Sequence, residues 1–118
     1  MAQNSARVEK VQRTVEKQAD QAPKWAPAKA GTTLVEGEML RTGKRSKSDI
    51  RFSDKSLLRL GQLSSVEIRA GREMRLVKGQ LLFSALSPAR ILAGSAAAAI
   101  KGTVPLIRVS PNGDAEFT

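Results

Sequence analysis

From Gly43 onward, apolar and polar residues alternate in short runs separated by turn-forming residues, the pattern of strands rather than helices. Asp49-Ile50-Arg51-Phe52 places Ile50 and Phe52 on one face of an extended segment, and Ser53-Asp54-Lys55-Ser56 supplies a turn after it. Leu58-Arg59-Leu60 ends at Gly61. Val66-Glu67-Ile68-Arg69 ends at Ala70-Gly71-Arg72, Met74-Arg75-Leu76 runs to Lys78-Gly79, and Leu81-Leu82-Phe83 follows. Pro88 and Gly94 read as interruptions. A further run spans Val104 to Val109, and Pro111-Asn112-Gly113-Asp114 turns the chain toward an apparent strand from Ala115, which marks either a fragment of a longer protein or a last strand pairing with Val104 to Val109. Turns recur about every 8 to 10 residues, so the expected fold is all-β: a single domain of many short strands, solenoid-like or a roll or sandwich. The alternation directs Phe52, Leu60, Ile68, Leu76 and Phe83 into one interior.

The first 30 residues give two readings. Val8, Val11 and Val15 have the spacing of a helix face, yet valine prefers strands and nothing apolar extends the stripe. Two short strands broken near Arg13 account for it equally well. Pro23 and Pro27 exclude a helix around Trp25, which reads as a core plug or a lid over the sheet rather than a sugar platform. Ala96 to Ala99 is also ambiguous, since alanine favours helix while Gly94 and Gly102 leave room for two turns at most.

Composition narrows the chemistry. The 118 residues include no His, Cys or Tyr, which removes imidazole catalysis, thiol nucleophiles, disulfides and the usual zinc sites. Three Phe and one Trp provide no platform for stacking single-stranded bases. The net charge is +9 and the pI about 10.7, so an anionic partner must be considered. No apolar run approaches the ~20 residues of a membrane helix, and the first five residues, read as a disordered tail, lack the features of a signal peptide.

The densest charge lies in Arg41-Thr42-Gly43-Lys44-Arg45-Ser46-Lys47, four cations with no acid before Asp49. Read as a loop, it is the candidate site for a partner or an anion, its backbone N–H groups and cations converging on phosphate, sulfate or carboxylate. A merely solvated loop is the plain alternative. Arg51, Arg59, Arg69 and Arg75 form a secondary basic face, pointing outward on successive strands. Asp49, Glu67 and Glu73 precede three of them by two residues, so this face reads as largely self-neutralised. Three sets invite a catalytic reading: Glu36 with Glu38, Asp54 with Ser56, and Lys101 with Thr103. Each has a structural explanation, the first two as turn residues, and no catalytic residue, cofactor or metal ligand is assigned.

The order of motifs resembles the FecR-type domain, named for the ferric-citrate regulator of bacterial cell-surface signalling. It begins with Trp25 and Gly31, continues through Leu34-Val35-Glu36-Gly37-Glu38 and Leu40-Arg41-Thr42-Gly43, and reaches Ile50-Arg51-Phe52-Ser53-Asp54-Lys55-Ser56 and Leu58-Arg59-Leu60-Gly61. Leu76-Val77-Lys78-Gly79-Gln80-Leu81-Leu82-Phe83 and Ile100-Lys101-Gly102-Thr103 follow. Glu38 stands where the family has Asp, and Lys55 where it has Gly. A glycine in that turn implies φ > 0, which costs Lys55 roughly 1 kcal/mol or changes the turn type. The resemblance covers about residues 6 to 109 and implies a solenoid-like or roll-like β domain outside the cytoplasm, without catalytic residues.

The function expected is thus a non-enzymatic, periplasmic or otherwise extracytoplasmic sensory and interaction module. It would bind a protein partner or support a neighbouring domain. The alternative is a basic protein binding nucleic acid or another polyanion; an anionic polymer fits the charge, while nucleic acid is disfavoured by the missing aromatics. The domain expected is 6–118, incomplete at its C-terminal end.

Overall fold

The computed structural model describes residues 6–19, 23–70, 73–103, 106–110 and 113–117. One strand organises the rest: β9 (Glu73–Ala93) runs for 21 residues through the middle of the sheet. Along one edge it pairs with β8 (Ser65–Arg69) and then β7 (Leu57–Leu60); along the other it pairs with β11 (Ile107–Val109) and β10 (Ala96–Thr103). Outward from β7 and β8 come β6 (Lys47–Phe52) and β5 (Met39–Thr42), and beyond them β1 (Ala6–Gln12) and β2 (Val15–Gln18). β4 (Thr33–Leu34) flanks β1, β3 (Trp25–Pro27) flanks β2, and β12 (Ala115–Phe117) flanks β11. Every pairing is antiparallel, and the described residues contain no helix. The all-β expectation holds, and its form is a single curled sheet closing into a half-barrel.

Each layer is one long strand bent once in its middle, and the bend falls on a residue of positive φ. Arg13 (64°) divides β1 from β2, Arg45 (55°) lies between β5 and β6, Leu63 (49°) between β7 and β8, and Gly79 (89°) lies within β9. This settles the open reading of the valine stripe in favour of two strands broken at Arg13. The bend interrupts the ladder, so hydroxyl groups take over its backbone partners. Thr42 Oγ1 donates to the Gly61 carbonyl at 2.6 Å and accepts from the Ser64 N–H at 3.0 Å. Ser64 Oγ accepts from the Gln80 N–H at 2.9 Å, and Ser46 Oγ from the Thr14 N–H at 3.0 Å. Thr42, Ser46 and Ser64 are buried accordingly.

The concave face closes over the core. Leu40, Ile68 and Leu76 from one side of the bend meet Ile50, Leu60 and Phe83 from the other, all at most 1% exposed. The Phe52 and Phe83 rings meet edge to face, centroids 5.8 Å apart. The five residues expected in one interior are all buried.

One ambiguous reading is resolved and one local expectation needs correction. Ala96 to Ala99 is strand, its side chains alternating between half-buried and exposed opposite Ile91 and Leu92, because an extended partner outweighs alanine's weak helical preference. Pro88 does not end β9. Four steps on β9, Ala85 to Ala89, face two on β10, Ile100 to Gly102, and Pro88 sits in that bulge, where no ladder N–H is needed. β12 pairs with β11 as expected, Ala115 opposite Val109; Val104, Pro105, Thr118 and residues 1–5 lie outside the described residues.

Candidate functional site

The cation-rich segment is not one loop. Arg41 and Lys47 belong to β5 and β6, and the turn holds Lys44 and Arg45. Arg41 points away from that turn: its Nη2 lies 2.8 Å from Glu16 Oε1, and its guanidinium carbon lies 4.0 Å from the centre of the Trp25 ring. Arg41 therefore joins β5 to β2 and β3, and a loop reading overlooked this because Glu16 and Trp25 are distant in sequence. Trp25 is half-buried beneath that guanidinium rather than plugged into the core.

Lys44, Arg45 and Lys47 remain exposed, and the described residues place no carboxylate at ion-pair distance from them or from Lys10. Lys47 opens onto a trough of about 860 Å³ across β1, β6, β7 and β9, together with Lys10, Gln12, Asp49, Arg59 and Leu82. The turn stands at the end of this trough, because the Arg45 N–H donates to Gln62 Oε1 at 2.9 Å, one residue beyond Gly61 in the trough wall. The structure thus unites Lys47 with Arg59, taken from separate candidate sets, and adds Lys10, which the sequence reading missed. The signal was the outward position of Lys10 on β1, opposite Asp49, legible only once the β1–β6 register is known.

The secondary face divides at the bend, with Arg51 and Arg59 on β6 and β7, and Arg69 and Arg75 on β8 and β9. Arg51 does not pair with Asp49. It binds Glu9 through two hydrogen bonds, 3.0 and 3.1 Å, and donates to the Lys55 carbonyl at 3.0 Å. Asp49 instead faces Arg59, at 3.8 Å. Asp49 is the cross-strand neighbour of Arg59, and such neighbours approach to about 4.5–5.5 Å against about 6.6 Å for i and i+2 on one strand, a gap that longer side chains still bridge at Glu67–Arg69. The hydrogen bonds from Arg51 hold the Glu9 carboxyl below its usual range and raise the guanidinium in turn. Arg69 donates to Glu73 at 2.7 Å and to Glu67 at 3.4 Å, and the Glu73 bond raises its pKa. Arg75 is exposed opposite Glu67.

The carboxylate pair is not assembled. Glu38 is buried, accepting from the Val35 N–H at 3.0 Å and lying 3.1 Å from Lys17 Nζ, while Glu36 is exposed. Asp54 caps its turn, accepting from the N–H and hydroxyl of Ser56, whose Oγ accepts in turn from the Leu86 N–H. The side chains of Lys101 and Thr103 lie outside the description. Among the described residues, no three His, Cys, Asp or Glu come together as a metal-binding group.

A curled antiparallel sheet whose polar groups are mostly committed to its own bends and ion pairs, with basic groups left around an outer trough, defines an all-β domain. The family model described as FecR protein matches residues 38–116, from β5 into β12 and more than half of the chain, so the chain belongs to the FecR family of regulators and sensors in envelope signalling. No curated protein and no solved structure matched the chain. The described residues contain no helix long and apolar enough to cross a membrane.

Proposed function

We propose that this chain is a non-enzymatic interaction and sensory module acting outside the cytoplasm. Its partner-facing surface is the Lys44–Arg45 turn with the adjoining trough of Lys10, Lys47 and Arg59, and the partner is a protein with an acidic surface. The observation that carries the reading is the uneven use of charge. Arg41, Arg51 and Arg69 are occupied by Glu16, Glu9, Glu67 and Glu73, while Lys44, Arg45 and Lys47 at the turn and Lys10 in the trough have no carboxylate at ion-pair distance among the described residues, the Glu9 and Asp49 of the trough lining being taken by Arg51 and Arg59. Solvated cations beside a concavity favour an acidic partner by steering its approach and giving its carboxylates counterions on docking. Family membership supports the signalling context.

The test is a triple reversal, Lys44→Glu, Arg45→Glu and Lys47→Glu, which leaves Arg41 in place. All three side chains are exposed, so stability should change by no more than ~0.5 kcal/mol per site. Capture of a partner from a bacterial envelope extract should fall, chiefly through a slower on-rate. Equal capture by wild type and variant would remove the turn from the reading. The pI of about 10.7 supports the polyanion alternative. Titration against duplex DNA at two salt concentrations separates them, because phosphate contacts make affinity fall steeply with salt. DNA binding that survives physiological salt and vanishes in the reversal would replace the protein partner with nucleic acid. Fractionation of cells expressing the full gene tests the compartment, and a cytoplasmic product would overturn it.

A further inference from the structure

Among the described residues the open edges of the sheet are blunted elsewhere, and that of β10 is not. β4 has two residues, β3 has three ending in Pro27, β12 has three with Glu116 at its centre, and the outer edge of β9 beyond Ala85 carries Pro88 and Arg90. These are the devices by which proteins keep edges from pairing. β10 has none between Ala96 and Ile100: the run is Ala-Ala-Ala-Ala-Ile, it pairs only with β9 among the described residues, and β12 forms its ladder with β11 alone. The edge is also held in place. The hairpin tip at Gly94 lies so close to the Gly113 carbonyl that a Cβ there would collide with it, and Ile91 and Ile100 are buried beneath the ribbon.

We infer that β10 accepts an added strand from an acidic, extended segment of a protein partner. This inference rests on the reading of the chain as an interaction module and gives it a second surface. The charge around β10 selects the occupant. The paired segments themselves, residues 84 to 103, contain no Asp or Glu and carry Arg90, exposed opposite Ala99, and Lys101. A second copy would bring the same basic surface against itself. It would also meet this edge over five residues, about 17 Å, too short a contact for the roughly 1,200–2,000 Å² of a stable dimer. An extended segment bound mainly through its backbone needs no such area. The small side chains on β10 let that backbone approach, and carboxylates at alternate positions of the guest would meet the basic surroundings.

The probes are two synthetic nonapeptides, one alternating valine with glutamate and one alternating valine with lysine, each titrated against the whole chain by fluorescence anisotropy and by amide hydrogen exchange. The glutamate peptide should bind and slow exchange at Ala96–Ile100, and the lysine peptide should not. The double variant Ala97→Glu with Ala99→Glu alters two exposed positions without touching the buried face. It should keep its circular dichroism and melting temperature while losing at least about tenfold in affinity for the glutamate peptide through like-charge repulsion. Absence of binding, equal binding of both peptides, or binding without protection at Ala96–Ile100 would overturn the inference. Concentration-dependent protection of β10 without peptide would also overturn it, by showing a second copy as the occupant. Failure of the peptide with envelope capture intact removes the edge alone. Peptide binding with no envelope partner captured supports the edge and removes the wider reading.

Discussion

At Lys55 a single side chain shows how far residue-level reading reaches. The turn after Phe52 asks for a glycine, and Lys55 occupies it at φ 75°, so the expected strain is present. Lys55→Gly should therefore raise stability by about 1 kcal/mol in denaturant melts, since the Arg51 bond to this residue uses its backbone carbonyl and survives. Unchanged stability would show the turn to be unstrained. The Glu9–Arg51 pair gives a pH-dependent counterpart. Because the folded state lowers the carboxyl pKa of Glu9, its contribution is present above the ordinary value of 4.5 and lost as pH falls through the lowered folded value. Arg51→Leu should move the Glu9 titration, followed by carboxyl NMR, upward toward 4.5, and should destabilise the protein less in acid than at neutral pH. This pair was illegible in the sequence, where Asp49 looked like the natural partner, because a strand places its nearest ionic neighbour on another strand 42 residues away.

Elements were legible where alternation was clean and illegible where the sheet bends. β6, β7, β8 and the first half of β9 follow directly from period-two patterning around Ile50, Leu58, Ile68 and Leu76. The continuity of β1 with β2, or of β7 with β8, does not, since Arg13 and Leu63 carry no sequence mark of positive φ. The buried hydroxyls at the bends had a faint signal, the recurring Ser and Thr of Thr42, Ser46 and Ser64, which composition alone reads as turn polarity. Their importance is measurable. Thr42→Val keeps the shape but leaves the Gly61 carbonyl and Ser64 N–H without their hydroxyl partner, so it should cost about 1–3 kcal/mol, more than an exposed Thr14→Val. Equal effects of the two substitutions in urea melts would show the bend to be held by something else. Gly79 makes the same point sterically, since a Cβ there would run into Ser64.

Over the whole molecule the two halves of the bent sheet share one interior, and the Phe52–Phe83 contact sits within it. Phe52→Ala should cost about 3–5 kcal/mol, because the sheet on either side cannot collapse into the space without breaking its register. A neutral result in denaturant melts would contradict the single core. The residues of the proposed surface differ from those named from charge density alone. Lys44, Arg45 and Lys47 could be named from charge density, but Arg41 had to be withdrawn and Lys10 and Arg59 added, since a trough exists only after β1, β6 and β7 are laid side by side.

The central position of β9 also bears on how the protein is made. Its partners β7, β8, β10 and β11 are all close to it in sequence, whereas β1 has only the short β4 near it and must wait for β6, some forty residues later, before its other edge can be used. Short loops close first, so the region from β7 to β10 is placed to nucleate and the N-terminal layer to dock last. A chain emerging from its N-terminus therefore shows its first strands to the surroundings well before their binding places exist, and pulse-labelled exchange during refolding should find β1 and β2 the last to be protected. The segment first synthesised is the last to find shelter, and for that interval a holding chaperone has the edge of β1 that awaits β6 and the edge of β2 that awaits β5 as its substrate.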